Sequence, residues 1–306
     1  MSNKATRPAL VMYHKDCADG FLAAATIKAS GKLPGADYVP VQYGDITADN
    51  YDEDWAHLTG DREVWIVDFS VKPDVMDKLV ADADRVFWLD HHKTAFESYG
   101  LDIHETYAGG LDGYRRLVVD LDNDRSGALI AWHFFMDSAA PALIEHVDDR
   151  DRWVWALPDT RDVMAGFFAS QPWDLDTWSA VLRDSNTHAW VTVDMLKEGR
   201  VLNKALDSDL EMLMHGATPA LINGDQRGLI VNAPHKYASE LGHKLAELSG
   251  TYAIVWRTEG RRVFCSLRGA PGYDVSELAK MFGGGGHAGA AGFECDLTML
   301  ETFMVL

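Results

Sequence analysis

Cysteine is scarce in this 306-residue chain: Cys17, Cys265 and Cys295 are odd in number, far apart, and form no Cys-x-x-Cys pair. Neither a disulfide framework nor a structural zinc ribbon is built that way, so reduced thiols are expected. No run of about eighteen apolar residues occurs, the length a membrane-spanning helix requires. The opening Met1-Ser2-Asn3-Lys4-Ala5 lacks the apolar core of a secretion signal. The expectation is a cytoplasmic protein without membrane contact. Positive charge is also short, with 28 Lys and Arg against 47 Asp and Glu and a formal net charge of −19. Such a surface repels long duplex DNA, whose non-specific binding requires many Lys and Arg on phosphates. One or two phosphates can still be held, by a few cations or by bound divalent ions. The Gly-Lys-Ser/Thr of a phosphate-binding P-loop is missing. The glycine cluster beginning at Gly283 follows a helical pattern rather than a strand, which argues against a dinucleotide-binding turn. No internal repeat or low-complexity tract interrupts the chain.

What is present suits a folded protein of two domains, 47% hydrophobic and 25% charged. Ala9-Leu10-Val11-Met12-Tyr13 predicts a buried strand that ends at His14-Lys15-Asp16-Cys17-Ala18-Asp19-Gly20, and Phe21 to Lys28 predicts a helix. A weaker strand follows at Asp37 to Tyr43 and a clearer one at Glu63 to Val67, capped by Asp68. Helical spacing from Pro73 through Met76, Leu79 and Val80 leads to the apolar run Val86-Phe87-Trp88-Leu89, which ends in Asp90-His91-His92. Strand and helix alternate with short connections, the pattern of a parallel sheet with helices on both faces. Ligand sites in such sheets lie beyond the carboxyl ends of the strands. Here three of those ends carry carboxylates and imidazoles: His14 and Asp19, Asp68, and Asp90-His91-His92.

Further on, Ser126 to Phe135 and Ala139 to Val147 predict buried helices, the second delivering Asp148-Asp149-Arg150-Asp151-Arg152-Trp153. Charge clusters of this kind are commonly solvated helix ends, but apolar residues flank this one on both sides. Met195, Leu202, Leu206, Leu210 and Leu213 recur at helical spacing and predict a long helix over 191–216, stopped by Gly216-Ala217-Thr218-Pro219. Beyond it come strands at Gly228 to Asn232, Thr251 to Arg257 and Arg262 to Arg268, the last two separated by a hairpin-like Thr258-Glu259-Gly260-Arg261. Helices are expected at Tyr237 to Leu248 and Val275 to Phe282, the latter running into Gly283-Gly284-Gly285-Gly286-His287-Ala288-Gly289-Ala290-Ala291-Gly292. The fold class is therefore α/β, with a parallel-sheet domain over 1–190, a linker helix over 191–216 and a smaller α/β domain over 217–306.

In this order and at these distances the motifs resemble the DHH phosphoesterases that carry a C-terminal DHHA1 domain. His14 to Gly20 is similar to the first motif, Val67-Asp68 to the second, Asp90-His91-His92 to the third and Asp149 to the fourth. Gly283 to His287 with Ala290-Ala291-Gly292 is similar to the C-terminal signature. The resemblance implies two divalent ions, manganese or alternatively magnesium. His14 and Asp68 would hold one; Asp19, Asp68, His91 and Asp149 would hold the other, with Asp68 bridging. A mixed carboxylate and imidazole set suits manganese better than magnesium, which prefers oxygen alone. Asp68, Asp90 and His92 would carry the catalysis, His92 at the scissile phosphate. Gly284, Gly285, Gly286, His287 and Arg268 would bind substrate.

This chain departs from the pattern where many relatives have an acidic residue two positions before the Asp-Gly pair, and Cys17 stands there. Asp16 is taken as the substitute ligand, with Cys17 and water as the alternatives. Asp149 is likewise favoured over Asp148 and Asp151. The implied function is hydrolysis of short single-stranded oligonucleotides or small nucleotides, by water activated between two metals. The alternatives are an adenosine bisphosphate phosphatase, a cyclic dinucleotide phosphodiesterase, or a nucleotide sensor with weakened catalysis. Implied partners are the nucleotide substrate and, as an open arrangement, a second copy of the chain. The other histidines and most tryptophans read as structural or exposed groups, with Trp153 and Trp155 singled out as candidates for base stacking.

Overall fold

The computed structural model describes residues 7–222 and 226–304, with the side chains of 185, 186, 226 and 287 outside that description. The Met1 to Ala5 segment read above therefore lies outside the described residues. The chain divides into two compact units, Met1–Asn203 and Lys204–Leu306.

In the first unit the apolar strand patterns become a six-stranded sheet. In chain order its elements are β1 (Leu10–His14), α1 (Ala18–Ser30), β2 (Asp37–Val41), α2 (Ala56–Thr59), β3 (Glu63–Val67), α3 (Pro73–Asp82), β4 (Arg85–Asp90), α4 (Lys93–Ser98), β5 (Tyr107–Gly110) and β6 (Leu117–Leu121). Helices α5 (Gly127–Phe135), α6 (Ala142–Asp151), α7 (Thr160–Ala169), α8 (Leu175–Arg183) and α9 (Ser185–Met214) follow. The strand order is β2-β1-β3-β4-β6-β5, parallel throughout except for β5, which pairs antiparallel with β6 at the edge.

The sheet is buried on both faces, and alternation along each strand divides its side chains between two cores. Val11, Trp65, Val67 and Leu89 pack with Phe21, Leu22, Ala128, Ala131 and Ile144 on the face covered by α1, α5 and α6. Leu10, Met12, Ile66 and Trp88 pack with Tyr51, Val75, Leu79 and Phe96 on the other. Trp88 is fully buried, and its indole N–H donates to Phe69 O at 3.0 Å, so the ring adds apolar area without an unmet donor. Burying such a side chain contributes on the order of 2–3 kcal/mol.

The expected strands and helices all form, with ends shifted by a few residues. The region between His92 and Ser126 holds two strands that the pattern did not announce. In β6, Leu117, Val119 and Leu121 face the core, but Asp120 and flanking charges break the apolar run; β5 is half glycine. The long helix begins at Ser185, earlier than the 191 expected, and ends at Met214. Thr218 and Pro219, read as its stop, open a strand.

The second unit contains β7 (Thr218–Ile222), β8 (Gln226–Asn232), α10 (Ala238–Ser249), β9 (Tyr252–Glu259), β10 (Arg262–Gly269), α11 (Ser276–Met281), β11 (Gly285–His287), β12 (Ala290–Cys295) and α12 (Leu297–Phe303). Its sheet runs β11-β12-β10-β9-β8-β7, with only β8 and β9 parallel. Leu241 and Leu245 of α10 cover Val231, Ala253 and Val255 on one face. Leu278, Leu300 and Phe303 cover Ile254, Cys265 and Leu267 on the other. The glycine run is built into this sheet. Gly283 takes φ +77 after α11, a Cβ on Gly284 would strike Gly292 O and one on Gly286 the Ala291 backbone, so side chains are excluded at Gly284 and Gly286, where the chain lies against β12.

Close approach without side chains also sets the packing of α7 on α9 in the first unit. A Cβ on Gly166 would meet the Met195 backbone, and one on Gly199 the Asp162 carbonyl. Gly199→Ala should therefore lower the unfolding free energy by about 1–3 kcal/mol, since backbone atoms must shift to admit the methyl group. Gly110→Ala, with open space around it and no positive φ, should leave the thermal midpoint essentially unchanged. Thermal unfolding followed by circular dichroism separates the two.

Candidate metal centre

Three strand ends and two helix ends meet at the carboxyl edge of the first sheet. His14 closes β1, and the start of α1 lies directly on it: a Cβ on Gly20 would come within 2.6 Å of His14 O and 2.8 Å of its Cβ. That is the physical need for glycine in the Asp-Gly pair. Asp68 follows β3 with φ 52°, a left-handed conformation that a non-glycine residue adopts at a cost. Its N–H donates to Leu89 O at 2.9 Å. Behind it sits Gly127, where a Cβ would lie 2.5 Å from the Cβ of Asp68.

Around Asp68 the side chains converge. Its Oδ1 lies 3.1 Å from His91 Nε2, and its Oδ2 lies 3.6 Å from His14 Nδ1. His91 Nε2 is also 3.6 Å from Asp19 Oδ2 and 3.4 Å from Asp151 Oδ2. Asp19 is oriented by the N-terminus of α5, whose Gly127 and Ala128 amides donate to it at 2.6 and 2.9 Å. Potential ligand atoms gather within 4.8 Å of one another in three groups: His14 with Cys17 and Asp68, Asp68 with His91 and His92, and Asp19 with His91 and Asp151. Asp90 is fully buried beneath them. Its Oδ1 accepts from the His91 amide at 2.8 Å and faces His92 Nδ1 at 2.7 Å, so it positions His92 rather than joining the group.

His14, Asp19, Asp68, His91 and His92 thus meet as the sequence predicts. Two expected ligands do not. Asp149 points away: its carboxylate accepts from the Ala156 and Leu157 amides at 2.7 and 3.2 Å and from the Thr160 hydroxyl at 2.5 Å. It anchors the turn after α6, and Asp151 stands at the cluster instead. Residues two apart on a helix point about 200° apart, so only one of the pair can face the centre. Asp16 is exposed, with φ 56° on the β1–α1 turn, while Cys17 faces His14 and Asp68. Tyr43 was missed altogether. Its ring centroid lies 5.4 Å from that of His14 and 6.0 Å from that of His92, and 49% of the residue is exposed. It follows a weak strand that gave no sign of ending at the same edge.

The cluster carries more negative charge than its imidazoles balance. Burial raises Asp19 well above the usual carboxylate range, and the neighbouring Asp68 and Asp151 add to the shift. Burial would lower His91, but its contact with Asp68 and the charges of Asp151, Asp68 and Asp19 push it up to about 10. Burial would also raise Asp68, yet His14, His91 and His92 hold it below the usual range. His14 Nδ1 and Asp68 Oδ2 are buried without a hydrogen-bond partner. Unpartnered ligand atoms facing each other within a surplus of carboxylates fit a bound cation. The mixed oxygen, nitrogen and sulfur donors suit a first-row divalent ion.

In the second unit, the register places Arg268, Ser266, Gly292 and Ala290 on one face of the sheet. A cavity of about 590 Å³ is lined there by His235, Arg257, Ser266, Gly283, Gly284 and Gly292 among others. Arg268 donates to Ser239 Oγ at 2.8 Å and to Leu267 O at 2.8 Å. Gly284 does not offer its amide as expected, because that N–H donates to Ala279 O at 2.9 Å. Gly285 and Gly286 pair with Gly292 and Ala291; the backbone of His287 completes β11, and its side chain lies outside the described residues. No helix among the described residues is long and apolar enough to cross a membrane.

Asp151→Asn is expected to weaken Mn²⁺ binding by about 10–100-fold with little change in thermal midpoint. Asp149→Asn should do the reverse, lowering the midpoint through lost charged hydrogen bonds. Calorimetric titration and thermal unfolding of both variants make the check. Because His91, pushed up to about 10 by its carboxylate neighbours, carries a proton that a metal must displace, affinity should rise as pH increases toward about 10. Titrations in buffers of different ionisation enthalpy would register the released protons.

No protein-family model matches the chain. An uncharacterised protein of Acanthamoeba polyphaga mimivirus is 26% identical over 309 residues, covering 92% of this chain. The chain spans 66% of that relative's length, just under two thirds. Among solved structures, exonuclease RecJ bound to manganese is similar over 97% of this chain and 88% of its own, with a TM-score of 0.52 at 14% identity. The pGpG-specific phosphodiesterase PggH from Vibrio cholerae is similar over 96% of this chain and 95% of its own, with a TM-score of 0.50 at 15% identity. At such identities the likeness is one of fold, and by that likeness the chain carries the fold of the DHH phosphoesterases.

Proposed function

We propose that this chain is a metal-dependent phosphodiesterase that hydrolyses short single-stranded oligonucleotides or small nucleotides. The observation that carries the reading is the convergence of ligand atoms from four separate stretches of chain around Asp68 and His91, two of these atoms being buried and unpartnered. The fold shared with an exonuclease and a dinucleotide phosphodiesterase supports it. The proposed ligands are His14, Cys17 and Asp68 at one position and Asp19, Asp68, His91 and Asp151 at the other, with manganese as the proposed ion and magnesium as the alternative. When bound, the ions would supply an activated water and neutralise charge on the phosphoryl oxygens.

The chain's own residues supply the rest. Asp90 fixes the His92 ring and, against the opposing effect of burial, raises its pKa, so that His92 is kept as a proton donor for a phosphoryl oxygen or the leaving group. Tyr43 offers an exposed ring beside His14 and His92 against which a base or sugar can lie. In the proposed substrate-binding domain, over 217–306, Arg268 donates to two neutral acceptors, Leu267 O and the Ser239 hydroxyl, and a substrate phosphate would supply the opposite charge. The net charge of −19 favours short substrates over long polymers. Residence in the cytoplasm and assembly as a homodimer belong to the same proposal.

Purified protein with Mn²⁺ should hydrolyse linear dinucleotides and short oligoribonucleotides faster than single-stranded DNA, a cyclic dinucleotide or adenosine bisphosphate, with duplex DNA untouched. Asp68→Ala and His92→Ala should lower turnover by about 10²-fold or more. Binding of nucleotide and metal with no hydrolysis of any of these would make the protein a sensor.

A further inference from the structure

Resting on the metal-centre reading, a finer one concerns which ion each half of the centre takes. The two halves differ in donor chemistry. Asp19, His91 and Asp151 offer two oxygens and one nitrogen, whereas His14, Cys17 and Asp68 offer a nitrogen, a sulfur and an oxygen. Both share the Asp68–His91 contact at 3.1 Å. We propose that Cys17 is a thiolate ligand, and that it makes the His14–Cys17–Asp68 position selective for a thiophilic divalent ion of the zinc, cobalt or ferrous class over Mn²⁺ and Mg²⁺. The other position keeps the preference for a harder ion.

Three observations support this. The Cys17 sulfur lies within 4.8 Å of ligand atoms of His14 and Asp68. Each of those two residues carries a buried, unpartnered ligand atom, His14 Nδ1 and Asp68 Oδ2, and Asp68 itself is 1% exposed. The neighbouring carboxylate that could have served instead, Asp16, is turned out to solvent by its left-handed backbone. In the free protein, burial and the carboxylates of Asp68, Asp151 and Asp19 push the Cys17 thiol up, so the thiolate would form only as the cation binds. Metal binding breaks the S–H bond and forms a sulfur–metal bond with the electron pair left behind. The proton passes to solvent, and nothing is oxidised or reduced. Sulfur donors favour zinc-class ions through softness, while carboxylate and imidazole sets leave manganese competitive.

The test uses full-length protein stripped of metal with a chelator and titrated with Co²⁺, Zn²⁺ and Mn²⁺. Wild type should develop a near-ultraviolet thiolate-to-cobalt charge-transfer band at one equivalent of Co²⁺. Cys17→Ser and Cys17→Ala should lose the band and bind Zn²⁺ about tenfold or more weakly, while the harder position keeps its Mn²⁺ affinity within about threefold. Cys17→Asp should move the preference of the first position from Zn²⁺ toward Mn²⁺. A Cys265→Ser/Cys295→Ser double variant should keep the band, because that pair, 3.9 Å apart, lies in the other unit. A band that survives Cys17→Ala, or wild type that binds Co²⁺ without one, overturns the thiolate assignment and leaves the metal centre standing. Failure of wild type to bind any of the three ions overturns both.

Discussion

The carboxylate of Asp68 is the point on which the first unit turns. It is withdrawn from water, held in a strained backbone conformation, and surrounded by three imidazoles. A buried carboxylate is tolerated only where opposite charge or hydrogen bonds offset its lost hydration. Here His14, His91 and His92 provide that offset from the ends of β1 and β4. Their reach requires the strands to finish level with one another, which the parallel register of β1, β3 and β4 secures. The same demand explains two glycines. Gly20 lets α1 begin against His14, and Gly127 lets α5 begin against Asp68, close enough for its first amides to grip Asp19.

Second-row contacts complete the arrangement. Asp90 takes no place among the ligand atoms but orders both histidines that follow it. Asn123, beyond β6, donates to His91 O at 2.7 Å and ties the motif to the strand beside it. Asp149 gathers two amides and a hydroxyl after α6, which steadies the helix end bearing Asp151. Each contact limits the freedom of a group that faces the centre, the condition for ligands to be held ready rather than assembled on binding. In the second unit the glycine run serves two ends: it lets β11 lie against β12, and it opens a cavity where side chains would otherwise stand.

Much of the site was legible because its residues sit at strand ends, and strand ends are visible as the limit of an apolar run. His14, Asp68 and Asp90-His91-His92 all follow such runs directly. Asp151 and Cys17 were not legible. Each competes with a carboxylate one or two positions away, and the choice depends on a helix phase and a turn conformation that composition does not reveal. Strands β5 and β6 escaped for a related reason, since a half-glycine edge strand and a strand with an interior Asp120 lack the alternation that marks their partners. Tyr43 joins the site only because β2 lies beside β1.

By itself the order of residues determined an alternating α/β chain with two domains, acidic overall, whose strand ends carry imidazoles and carboxylates. Those properties are local, set by apolar periodicity and charge within a few residues. Only tertiary structure decided which carboxylate of α6 turns inward, that Cys17 rather than Asp16 faces His14 and Asp68, and that the C-terminal glycines take part in strand pairing. Such choices depend on distances between segments tens of residues apart, where a rotation of one helix position exchanges a ligand for a structural anchor.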